Sequence, residues 1–79
     1  MKSKVVLHEF KIGDVEDIAI YAAQPIYEWQ QSPEGRWATT HAEDITWQSY
    51  IDPGYYGWII QITGILEDKY ATYYTLKNS

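Results

Sequence analysis

No cysteine occurs in the 79 residues, and for so short a chain that absence constrains the fold more than any residue present. Small domains have little apolar area to set against an ordering cost of roughly 1.5 kcal/mol per residue, and they commonly recruit disulfides, a metal or a partner. Disulfides and cysteine-based zinc sites are both excluded here, which suits a reducing compartment. The core must therefore be aromatic, drawn from four Trp and eight Tyr, each able to bury roughly 150–250 Å². The length leaves room for one core, so residues 1–79 are read as a single domain. Self-association through an edge strand, giving a homodimer, is the other way to complete such a core.

The formal net charge is −5, unevenly distributed. Lys2, Lys4 and Lys11 lie near one end and Lys69 and Lys77 near the other, while between them Arg36 faces ten of the eleven carboxylates. If the two ends paired as neighbouring strands they would form a small basic edge on an acidic body. Duplex nucleic acid is disfavoured, because phosphate binding needs clustered cations and here they are outnumbered. A basic protein partner suits the charge better. The opening Met1-Lys2-Ser3-Lys4 precedes an apolar run broken at once by His8 and Glu9, so it does not read as a signal peptide. No window approaches the roughly 18 apolar residues of a membrane helix. The expectation is a soluble, cytoplasmic protein that does not engage membranes.

Alternation of Val6, Phe10 and Ile12 against Val5 and Leu7 predicts a strand over 4–12, ended by Gly13-Asp14. Asp14, Glu16 and Asp17 form an acidic bend in which Asp14 is placed to cap the next element. Residues 18–42 admit two readings. As helix, Pro25 falls in a first turn, and Ser32-Pro33 restarts a helix with Ser32 as N-cap and Pro33 at the first position. As hairpin, Ser32-Pro33-Glu34-Gly35 turns between strands Ile26–Gln31 and Arg36–His41. Either way Trp29 and Trp37 should pack onto the sheet. Further strands are predicted around Ile45–Ile51, along Trp58, Ile60, Ile62 and Leu66, and along Tyr70, Tyr74 and Leu76, with Asp52-Pro53-Gly54 as a turn by its own chemistry. Gly64 marks a bulge or a close approach. The expected fold is α+β, two-layer, a four-stranded antiparallel sheet covered by one helix in the order β-α-β-β-β; the alternative is an all-β small barrel or sandwich.

Catalytic signatures are not evident. The five glycines are too dispersed for a phosphate loop, and His8 and His41 have no nucleophile elbow beside them. His41-Ala42-Glu43-Asp44 and the Asp14–Asp17 bend lack the spacing of known metal loops, so no metal and no cofactor is expected, and the chain is read as no enzyme. Tyr offers large amphipathic area at low entropic cost. Tyr55 and Tyr56, following Pro-Gly in a turn, are therefore the candidate binding residues, together with Asp14, Glu16 and Asp17.

Phe10-Lys-Ile-Gly-Asp-Val-Glu-Asp, Ala23-Gln-Pro-Ile-Tyr-Glu-Trp-Gln-Gln-Ser-Pro-Glu-Gly-Arg-Trp and Tyr73-Tyr74-Thr-Leu-Lys resemble small uncharacterised proteins of tailed bacteriophages, particularly those of marine cyanobacteria. The resemblance carries no activity. It implies helix for Ser32–Ala42, a host cytoplasm as the compartment, and an accessory protein that binds a host or phage protein. The functional expectation is a non-enzymatic interaction module with a protein partner. The alternative is a small-ligand or single-stranded nucleic-acid binder using an aromatic sheet face, with Lys2, Lys4, Lys11, Lys69 and Lys77 as a backbone track.

Overall fold

The computed structural model describes residues 1–54 and 56–77. Its elements run β1 (Lys2–Ile12), α1 (Ile18–Gln31), α2 (Pro33–His41), β2 (Glu43–Ile51), β3 (Trp58–Glu67) and α3 (Asp68–Lys77). The strands form one antiparallel sheet of order β1-β3-β2. β1 and β2 are joined through the two helices, and β3 returns from a hairpin to lie between them. Being central, β3 is the most buried: Ile60, Ile62 and Leu66 are enclosed on the helix side, and Thr63 is buried on the other.

The architecture corrects the expected one. The fold is α+β, but with three strands and three helices rather than four strands under one helix. The barrel or sandwich alternative also falls, because residues 18–42 form two helices rather than a hairpin. The predicted last strand is α3. Tyr70 and Tyr74 fit a period of two and equally a spacing of four, and the tie is broken by Ala71, which packs on the core beside both of them. Tyr74 is 5% exposed, and its hydroxyl donates to the Leu7 carbonyl. The start of α3 is held by β1, since the Asp68 N–H donates to the Met1 carbonyl at 2.9 Å and its carboxylate accepts from Ser3 Oγ at 2.7 Å. With the C-terminal segment helical, the two ends do not pair as strands, and the predicted basic edge is not assembled in that way.

Asp17, not Asp14, caps α1, its carboxylate accepting the Ile20 N–H at 3.2 Å. The helix therefore begins well before Pro25, which is interior rather than in a first turn. Ile18, Ala22, Pro25, Ile26 and Trp29 recur on the less exposed face of α1. Ser32 ends α1 and starts α2 as expected. Its hydroxyl donates to the Trp29 carbonyl at 2.6 Å and accepts the Gly35 N–H at 3.0 Å, with Pro33 opening the helix. Gly35 lets the helices meet this closely: a β-carbon there would stand 1.7 Å from the Trp29 carbonyl oxygen.

The core gathers Leu7, Trp29, Ala38, Ile62, Leu66 and Tyr74. Trp29 joins it as expected, whereas Trp37 lies half-buried between α2 and α3, stacked on Tyr74 at 5.5 Å. A bulge at Leu7, where the β1 register slips between Val6 and His8, adds an extra residue to β1 just where Tyr74 takes a carbonyl. Gly64 is the expected close approach, since a β-carbon would meet Leu7 Cδ1 at 2.9 Å. α1 packs on β1, α3 packs on β1 and β3, and among the described residues the main neighbour of β2 is β3.

Candidate functional site

A broad concavity among the described residues lies at the loop end of the sheet. It encloses about 880 Å³ and is lined by Asp14, Ile51, Asp52, Pro53, Gly54, Tyr56, Gly57 and Trp58. Three adjacent strand ends meet there, Ile12 beside Trp58 and Trp58 beside Ile51, and Trp58 and Ile51 form part of the lining. The turn that forms its wall is held by Asp52, whose carboxylate accepts the Gly54 N–H at 3.0 Å while its own N–H donates to the Gly57 carbonyl at 3.3 Å. Lys11 Nζ, reaching across from β1, lies 3.1 Å from the same carboxylate. The Gly54 N–H and then the Lys11 ammonium hold the Asp52 carboxyl below its ordinary range. Gly57, at φ +148°, passes so close to β1 that a β-carbon would lie 2.5 Å from the Ile12 carbonyl oxygen. Tyr56 stands out at 92% exposure.

The structure divides the five residues chosen from sequence. Asp14 and Tyr56 line the concavity together. Glu16 is exposed on the bend without joining the lining, Asp17 is committed to capping α1, and Tyr55 lies outside the described residues. Sequence reasoning passed over Trp58 and Ile51, read only as strand residues, and Asp52, read only as a turn former. The run Ile51-Asp52-Pro53-Gly54 already contained the signal that a rigid turn would hold an apolar residue beside a carboxylate.

Two smaller surfaces were not anticipated. At the bulge, His8, Glu34, Trp29 and Tyr74 share a hollow of about 460 Å³. The His8 imidazole stacks on Trp29 with ring centres 5.6 Å apart; burial pushes its pKa below the ordinary histidine value, and the Glu34 carboxylate opposes that shift. Burial and then Glu34 push the Tyr74 phenol upward. On the helix side, Trp37, Lys69, Tyr70 and Tyr73 line a cleft of about 330 Å³, with Lys69 Nζ 5.0 Å from the Tyr70 ring centre. His41 belongs to this aromatic group, stacked 4.5 Å from Trp37 and bonded through Nδ1 to the Trp37 carbonyl at 2.8 Å.

Three of the groups weighed as metal ligands have other partners: Asp17 caps α1, and His41 and Glu43 are held by neighbouring residues. His41 is held as just described, and Glu43 takes Lys2 Nζ at 2.9 Å. The lysines imagined as a track are dispersed: Lys2 and Lys11 pair with acids at opposite ends of β1, and Lys69 and Lys77 sit on α3 against Tyr70 and Tyr73. The helix-free sheet face has polar cross-strand contacts, Gln61 to Glu9 at 3.0 Å and Thr46 to Thr63 at 3.4 Å, and among the described residues Tyr50 is its aromatic side chain. No described helix is long and apolar enough to cross a membrane. No family model, curated protein or solved structure matches this chain, and the resemblance to phage proteins draws no support from these comparisons.

Proposed function

We propose that the chain is a non-enzymatic interaction module whose loop-end concavity receives a basic side chain of a partner protein. The observation that carries this reading is the pairing of chemistry in one hollow: walls from Trp58, Tyr56, Ile51 and Pro53, and two charged groups, both carboxylates, Asp14 and Asp52. Asp52 is already occupied by Lys11 and the turn, which leaves Asp14 as the acid presented to a ligand. A lysine or arginine meets both demands, laying its methylene stem along apolar walls, its charge near an aromatic face and a carboxylate. An acidic surface also speeds encounter with a basic partner.

The resemblance to phage proteins makes a bacterial lysate the first source of a host partner. Tagged wild-type protein, Tyr56→Ala and Asp14→Asn would be used for affinity capture. The expected result is one stoichiometric basic protein whose recovery falls at least about tenfold in both variants, as loss of an interface anchor requires, with circular dichroism unchanged. Equal recovery by both variants overturns the reading. Capture that vanishes on nuclease treatment moves the function to single-stranded nucleic acid, with the Trp37–Tyr73 cleft and Lys69 in place of the sheet face.

A further inference from the structure

We propose that the chain forms a two-fold dimer through the free edge of β2, joining two three-stranded sheets into one of six strands, with Ser49 of each copy at the symmetry axis. The helix layer rests mainly on β1 and β3; in β2 Ile45 packs on the core, but Trp47 and Ile51, which share the helix side with Ile62 and Trp58, remain 41% and 70% exposed. Natural sheets block an open edge with charge, proline, bulges or a covering element. Residues 46–51, Thr-Trp-Gln-Ser-Tyr-Ile, contain no charge, proline or glycine, and their pairing with β3 is regular. Self-pairing therefore brings no like charges together, despite the −5 carried by each chain.

The register is set by the pattern. An axis perpendicular to the sheet keeps both helix layers on one side, so it must match residues of the same face. Centred on Ser49, it sets Trp47 against Ile51 of the second copy, Gln48 against Tyr50, and Ser49 against itself. The exposed apolar residues then cover one another. Centred on Gln48, it opposes Asp44 to Asp52 of the second copy; centred on Tyr50, it drives Pro53 into the ladder opposite Trp47. The Ser49 register avoids both, and it stops where the strand stops, at the Asp44 bulge (φ 50°) and at the turn after Asp52. Asp52, at the end of the strip, is matched by its own Lys11. Because Ile51 also lines the loop-end concavity, each concavity of the dimer borders Trp47 of the second copy.

Sedimentation equilibrium with oxidative cross-linking tests this. The wild type should sediment at twice the 9.2 kDa chain mass, and Ile51→Lys, a change at an exposed position, should sediment as a folded monomer. With no native cysteine, Ser49→Cys should yield covalent dimer on mild oxidation, as two β-carbons opposed across a ladder allow, and Thr39→Cys on the exposed side of α2 should not. A wild type that stays monomeric to millimolar concentration overturns the proposal, as does a dimer that survives Ile51→Lys and is not trapped by Ser49→Cys. Asp14→Asn and Tyr56→Ala leave the mass unchanged, so failure of partner binding and failure of dimerisation are read separately.

Discussion

β1 and β2 are both edges, and both lie against β3, yet the chain treats them differently. β1 carries Lys2, Lys4, Glu9 and Lys11, bulges at Leu7, and is covered by α1 and α3. β2 bulges at Asp44, sets Ile45 against the core, and then runs uncharged and largely exposed from Thr46 to Ile51. The side of the sheet that supports the core is thus guarded against further pairing, while the side that contributes little to the core is left open. The helix layer packs mainly on β1 and β3, and the exposed outer half of β2 is where assembly can supply apolar cover that the monomer lacks.

The comparison breaks first in the core. Leu66→Ala removes a fully buried side chain between the sheet and the helices and should cost about 2–5 kcal/mol in urea unfolding; a loss below about 1 kcal/mol would mean that the covered side is not the stable one. Next is Tyr74→Phe, which leaves the Leu7 carbonyl at the bulge without its hydroxyl donor. That change should cost about 1–3 kcal/mol, and a smaller loss would make the bulge independent of α3.

Acid sharpens the contrast further. The folded pKa of His8 lies below its ordinary value, so the unfolded chain binds a proton more readily. The stability from His8 is complete above the unfolded value near 6.5 and declines as pH falls toward the folded one. His8→Gln should flatten the fall in urea midpoint between neutral and mildly acidic pH. Asp52 is depressed likewise, and its contribution, present above the ordinary carboxylate range, is lost as pH falls through its lower folded value. Asp52→Asn should remove that later, more acidic step; two variants with identical pH profiles would show that neither group controls the window assigned to it.

The smallest effect belongs to the exposed outer half of β2. At concentrations where the chain is monomeric, Ile51→Ala should change stability by no more than about 0.5 kcal/mol. A loss comparable to that of Leu66→Ala would show that this stretch is covered within the monomer and would erase the contrast between the edges.

How far the sequence could be read depended on how local each decision was. Ser32-Pro33 marked a break that fitted a helix restart or a hairpin turn, and Asp52-Pro53-Gly54 announced a turn, because both act within four residues through hydrogen bonds the structure contains. Asp17 could not be separated from Asp14 as the cap, since both lie in one acidic bend and the choice depends on where α1 meets β1. In the candidate site Asp14 and Tyr56 were legible as an acid on a bend and an aromatic on a turn. Trp58 and Ile51 were not, because their place beside those residues depends on which strands become neighbours.

By itself the sequence determined three of the four strands it suggested and the turn that shapes the loop end; the aromatic core it led us to expect is instead mainly aliphatic, with Trp29 and Tyr74 as the buried aromatics among the described residues. Only the tertiary structure decided that residues 18–42 are two helices and the final segment a third, that β3 lies between β1 and β2, and that Trp47 and Ile51 of β2 remain exposed. The physical reason is the same for all three: each depends on contacts between residues far apart in the chain. Tyr70 and Tyr74 satisfy either period, and their state is settled by the distant Leu7 and Trp37, which offer the carbonyl and the ring that a helix can reach.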